Sequence, residues 1–356
     1  MLTPPPPGPH PVTLADLKYL EPDRLLIGFR MTAGIDPGPA ESYGGWCRGG
    51  GCTWIGHFLS ALAFASAAED DPALTAKGNY IVAALGQAQA GIAQRHPDQA
   101  GWHGTGEWTD PPVDTKNAGS LGMYGTHKLL AGLCDQATVA GNAEAKAIAI
   151  KVADFLHKAL APLIRARGYG WWSFLFLNPG NAGKGADIGG IYEALLNVYA
   201  LSGKPAHLEL ATYFYNWPFF DPLLRKVDTL ANEHANAHLP VAVGVARGAE
   251  LTGNSTLRTI AENFYTILTE VYTFSTGGSS GEDPRHVPWS FPPPSLTPHH
   301  LSCYLCVVSG AFDAIDRSVC VLASLITPHH CASCLCAGLP NNSTPLCGVS
   351  VCWPPQ

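Results

Sequence analysis

The residues of this chain that could do chemistry gather at helix starts and in one glycine-rich turn. "NEHANAHLPVAVG" (232–244) places His234 and His238 four apart, with Asn236 between them. At helical spacing two such imidazoles share a face, and three uses fit: a metal, a sugar, or packing. A His pair four apart binds metal in HExxH helices, but no Glu follows His234 and no third ligand stands nearby. Pro240 argues that the helix opens only there, leaving 232–238 as a loop or first turn. Imidazole and amide both donate and accept hydrogen bonds, which suits sugar hydroxyls better than a cation. His57 in "WIGHFLSALA" and His127 in "YGTHKLLAGL" sit near the starts of apolar helices, with Tyr124 one turn before His127 and Lys128 after it. Each is either a packed ring or part of a shared mouth. Glu282 ends the turn "STGGSSGEDP" (275–284). That string reads as a flexible acidic tip, or as a held carboxylic acid able to protonate a glycosidic oxygen. Glu193 in "IGGIYEALL" lies within an apolar face, where a carboxylate must be paired or face a pocket.

These residues need a scaffold, and from about 53 to 273 the pattern is long helices joined by short turns. Helices are expected over 53–68, 121–140, 143–163, 186–202 and 238–252, with further ones opening at Pro205 and Ser255. Asp71 and Pro72 form a start signal, and Gly141, Gly203 and Gly253 are stop signals where a left-handed residue closes a helix. Strand signals are almost absent. The result is about four helical hairpins, arranged as an open array or as a double-layered toroid. Two stretches, 96–120 and 167–186, are too long for simple connections and rich in Gly and Trp. Loops of that length are usually functional. They read as a tryptophan-lined mouth, which favours the toroid, or as loop tips folded over the end of the helices.

With 356 residues, 46% hydrophobic and 14% charged, the chain can bury a large core. A net charge of −7 and no basic block exclude nucleic acid and anionic membrane as partners. No apolar run approaches the roughly 20 residues of a membrane-spanning helix. The start "MLTPPPPGPHP" lacks the basic and apolar regions of a signal peptide. The compartment is therefore open: the protein is intracellular, or its N-terminus is incomplete. Residues 1–13 read as a Pro-rich arm and 14–286 as a catalytic-type helical domain. The tail, 287–356, carries eight of the 11 cysteines and, after Trp289, only Asp313, Asp316 and Arg317 as charges. It reads as non-folding sequence, a zinc module or a disulfide-rich tail.

Taken in order, "DRLLIGFRMTAGI", "YGGW", "GHFLSALA", "HKLLAGLCDQ", "IGGIYEALLNVYALSG", "HANAHLP", "GVARGAELTGN" and "TGGSSGE" resemble glycoside hydrolase family 127, the β-L-arabinofuranosidase-like enzymes. The resemblance implies an all-α (α/α)6 toroid, here incomplete at about four hairpins. It implies retaining hydrolysis of terminal β-L-arabinofuranosides, hence L-arabinose-containing glycans as partners. Glu282 falls on the general acid/base, His57, His127 and His234 on the sugar pocket with Asn236 beside them, and His238 behind that pocket. The family's nucleophile is a cysteine held by zinc, a cofactor with no assignable ligands in this chain. Cys303 can be matched to one cysteine, but Leu301 stands in place of the glutamate before it. Catalysis is therefore expected to be impaired in the chain as written. Alternatives are a non-catalytic carbohydrate-binding or scaffold protein and another (α/α)6 sugar enzyme, an epimerase or uronyl hydrolase.

Overall fold

A computed structural model describes residues 12–273 apart from 45, 46, 48–51, 53, 105–121, 178–187, 232 and 234. Twelve α-helices appear among the described residues: α1 (Val12–Tyr19), α2 (Pro22–Thr32), α3 (Ile55–Glu69), α4 (Pro72–Arg95), α5 (Met123–Thr138), α6 (Ala143–Arg167), α7 (Tyr169–Phe176), α8 (Ile191–Ser202), α9 (Pro205–Thr212), α10 (Trp217–Leu224), α11 (Ala235–Thr252) and α12 (Ser255–Ile267). No strand occurs among the described residues.

Four hairpins pair α3 with α4, α5 with α6, α8 with α9 and α11 with α12, as the turn chemistry predicts. The turn residues supply the reason. Asp71 accepts from the Ala73 amide, Asn142 from Ala145, and Asn254 from Thr256 and Leu257, so each satisfies amides that the first helical turn leaves unpaired. Gly203 and Gly253 take positive φ values of 67° and 68° at the ends of α8 and α11, where a Cβ would clash with the backbone. The exception is Asp70, which closes α3 at φ 50° without being glycine.

Cross-helix contacts fix the direction of each element. Gly56 and Leu59 on α3 meet Lys128 and Gln136 on α5 in the same order. His127 and Gly189 meet ahead of Cys134 and Glu193, and Gly190, Glu193 and Asn197 meet Pro240, Gly244 and Arg247. The helices α3, α5, α8 and α11 therefore run parallel in one layer. Contacts from Asn79 to Asn142, from Asp154 to His207 and from His157 to Glu209 make α4, α6 and α9 a second parallel layer. The two layers run opposite ways, which is the double-walled arrangement of an α/α toroid. Between them lies one continuous apolar core that includes Leu59, Leu62, Leu130, Leu133, Ile148 and Leu195.

The two ends of this wall are unlike. Connections from inner to outer helix take two to four residues, whereas those leading into α3, α5, α8 and α11 take 22 to 27. Every long connection arrives at the N-terminal ends of the inner helices.

Three expectations change. The stretch 167–186 is partly helical, since α7 occupies its first half, and Trp172 is fully buried, donating from Nε1 to the Tyr213 carbonyl at 2.7 Å. Trp102, from the other long stretch, is buried against Phe155. These two indoles are core, not mouth. The helix expected at 238 begins at Ala235 and contains Pro240. It tolerates Pro240 because only the Asn236 carbonyl, on the first turn, loses its donor.

Candidate functional site at the inner-helix N-termini

The site is built on the closest helix crossing seen at a glycine among the described residues. A Cβ on Gly56 would overlap the Lys128 carbonyl and stand 2.5 Å from the Leu129 nitrogen, and one on Gly132 would stand 2.8 Å from the Gly56 carbonyl carbon. Only glycine permits this backbone contact between α3 and α5. Gln136 fastens it, its Nε2 donating to the Leu59 carbonyl at 2.8 Å. The crossing carries His57 and His127, one next to Gly56 and the other next to Lys128, to neighbouring places at the N-terminal ends.

Each histidine leans on an aromatic ring one turn earlier. Trp54 and His57 have ring centroids 5.4 Å apart, Tyr124 and His127 5.3 Å. Both imidazoles are half-buried. Burial pushes the His57 pKa down to about 4, with the Lys128 charge adding to the effect. His127 is held well below its ordinary value by burial, by Lys128 and by His57 itself. Both rings are neutral at pH 7, so each carries one N–H donor and one bare acceptor nitrogen. The Nδ1 atom of His127 is sealed from solvent and makes no hydrogen bond of good geometry.

The next inner helix covers His127 with bare backbone. Gly189, at φ 49°, lies so close that a Cβ would stand 2.6 Å from Nδ1 and 3.0 Å from Nε2 of that ring. A Cβ at Gly190 would fill a space edged by His127, Pro240 and the Glu193 carboxylate. Burial pushes Glu193 up to about 7, and Asp135 adds to this, while Asn197 and Arg247 oppose it. Asn197 approaches Glu193 Oε1 at 3.5 Å and accepts from Arg247 Nε at 2.8 Å, and Arg247 also pairs with Glu250. The apolar setting that demanded a partner for Glu193 thus has one, on α8 and α11. Nothing in the local pattern around Glu193 points to Arg247, which lies more than two turns into a separate helix.

Asn236 lies on the first turn of α11, at the same end as His57 and His127. His234 and Glu282 lie outside the described residues, as do Asp187 and the cysteines of the tail. His238 is buried, with Nε2 3.2 Å from Glu233 and its ring 4.8 Å from Phe219. Among the described residues no set of three or more His, Cys, Asp or Glu side chains is arranged to hold a metal ion. Cys47 and Cys52 share a disulfide, and burial raises the thiol pKa of Cys134. The described donors therefore do not fit a zinc–thiolate centre.

A family model described as β-L-arabinofuranosidase, GH127 catalytic domain, matches residues 12–306. The chain belongs to this family. Two solved GH127 structures share its fold. One is Ara127N, a GH127 β-L-arabinofuranosidase from Geobacillus stearothermophilus T6, at 20% identity and a TM-score of 0.50, covering 74% of this chain and 42% of that one. The other is the GH127 β-arabinofuranosidase BT3674, at 15% identity and a TM-score of 0.58, covering 89% and 47%. The GH127 chain described here thus spans less than half the length of these structures. No curated protein matches it. No described helix is long and apolar enough to cross a membrane.

Proposed function

We propose that this GH127 chain binds terminal β-L-arabinofuranosyl units of L-arabinose-containing glycans at the inner-helix mouth. The observation that carries this reading is the convergence of two neutral imidazoles, His57 and His127, where the parallel inner helices begin. Neutral rings read hydroxyl groups without demanding a charged partner. The family resemblance assigns His234 and Asn236 to the same pocket, and Asn236 lies on the first turn of α11.

The reaction class is retaining glycoside hydrolysis. Glu282 would protonate the glycosidic oxygen as the nucleophile attacks the anomeric carbon, and water would then release the sugar. This chain places Leu301 where the resemblance calls for the zinc-binding glutamate. The nucleophile half of the double displacement therefore has no assigned residue, and turnover is impaired while sugar binding is kept.

Two measurements test this. Titration with methyl β-L-arabinofuranoside should give saturable binding that His127→Ala weakens about tenfold, the loss of one good hydrogen bond. Hydrolysis of p-nitrophenyl β-L-arabinofuranoside should be at background. Absence of binding, or binding indifferent to His57→Ala and His127→Ala, rejects the sugar mouth. Turnover that Glu282→Gln abolishes would keep the glycosidase and reject the impairment.

A further inference from the structure

The two inner helices that carry the histidines open on the same pattern, aromatic-x-x-His: Trp54-Ile-Gly-His57 on α3 and Tyr124-Gly-Thr-His127 on α5. Each aromatic ring contacts its own histidine. Between the two aromatic rings stands one ammonium group. Lys128 Nζ lies 3.7 Å from the Tyr124 ring centroid and 4.5 Å from that of Trp54. The residue is only 3% exposed. A lysine buried so deeply must recover lost hydration, and two π faces supply part of it. Its backbone is fixed as well, because the Lys128 carbonyl rests on Gly56.

We propose that Lys128 is a positioning residue of the mouth, its ammonium clamping Trp54 and Tyr124 and, through these rings, setting the orientation of His57 and His127. The proposal rests on the sugar-mouth reading for its purpose, although not for its test. A single cation reaches both histidines at once, which a hydrogen bond to either ring could not do. Burial is the main reason that both imidazoles stay neutral well below pH 6.5, and the Lys128 charge adds to it by opposing a second positive charge beside it. The titratable and charged groups facing these rings are Lys128 on α5, each ring on the other, and Glu193 on α8 across Gly190.

The test follows histidine ring signals by NMR in the full chain, labelled at histidine, through an acid titration. In Lys128→Met, which keeps the stem and removes the charge, the His57 midpoint should rise from about 4 by roughly one pH unit, a tenfold gain in proton affinity. Lys128→Arg should restore the low midpoint, because a guanidinium returns the positive charge and also stacks on aromatic faces. A midpoint unmoved in Lys128→Met overturns the proposal, whereas a merely structural lysine would change stability alone. If that variant does not fold, the wild-type spectrum decides. Two ring faces must shift the Lys128 ε-methylene protons upfield, and unshifted protons refute the clamp. None of these readings uses a sugar. A wild-type chain that binds no methyl β-L-arabinofuranoside while its histidines titrate as stated would remove the sugar reading and leave Lys128 in place.

Discussion

Replacing Gly132 by alanine puts the α3–α5 crossing to a quantitative test. The new methyl carbon would lie 2.8 Å from the Gly56 carbonyl carbon and 2.9 Å from its Cα, and nearer still to the carbonyl oxygen. Carbon atoms in good contact stand at about 3.5–4.0 Å, so the helices must separate by roughly 1 Å. No rotamer change relieves the clash, because every opposing atom is backbone. Overpacking of this kind costs about 1–3 kcal/mol, and a separation along the whole crossing belongs at the upper end. Alanine returns about 1 kcal/mol of helix propensity. The net loss is about 2 kcal/mol, or roughly 4–8 °C in Tm for a domain of this size. Gly170 is the control: it lies in α7 with no atom within 4 Å of the place a Cβ would take, so Gly170→Ala should be neutral or stabilising by up to about 1 kcal/mol. Thermal and urea unfolding of both variants give the answer. A Gly132→Ala protein that melts at or above the wild type would show that the helices do not cross on bare backbone, and the placement of His57 beside His127 would fall with it.

Stability should fall on acidification between pH 6.5 and about 4. His57 and His103, depressed to about 4 and about 3, and His127 and His207, also depressed, are protonated in the unfolded chain before the folded one. Glu193, raised to about 7, works the other way, since its contribution is lost as pH rises from 4.5 to 7. Four groups against one leave a net loss of at least about 2 kcal/mol per pH unit after allowing for solvent at the half-buried rings; urea midpoints that stay level from pH 6.5 to 5 would contradict it. Lys77 holds the end of α1, its Nζ donating to the carbonyls of Leu17, Lys18 and Leu20 at 2.6–2.8 Å. Lys77→Met should loosen that helix by about 2 kcal/mol, seen as roughly thirtyfold faster amide exchange over 12–20 with little change elsewhere; unchanged exchange would argue that water caps α1 equally well.

The hairpins were legible because their signals are local. Asp71 with Pro72, Asn142, and Gly203 with Pro205 each act within one turn of chain, so neighbouring residues suffice to read them. Three elements were not legible. The string "YGWWSFLF" of α7 is apolar on nearly every side and shows no helical stripe. Pro218 and Pro222 disguise α10, although the first occupies an early helical position and the second stands one turn from the end. Pro240 hid the first turn of α11. At the site, His57 and His127 could be picked out, but what makes them a pair could not. The cause is a contact between Gly56 and Gly132, residues 76 apart, and a glycine in a helix looks locally like a weakness. The role of Lys128 was hidden for the same reason: its two aromatic partners sit on different helices. The repeated aromatic-x-x-His pattern was the one signal that pointed there.

The contrast between the two ends of the wall bears on how such a protein can diverge. Turns of two to four residues at one end leave no slack: an extra residue beside Gly203 or Gly253 would displace a left-handed cap and tilt a hairpin. At the other end the connections already run to 22–27 residues, and lengthening one by five adds only a few tenths of a kcal/mol in closure entropy. Insertions, deletions and rewritten specificity can therefore accumulate around the mouth while the opposite rim keeps the hairpins in register. The architecture separates inheritance of shape from invention of function, and it assigns each to one face of the same wall.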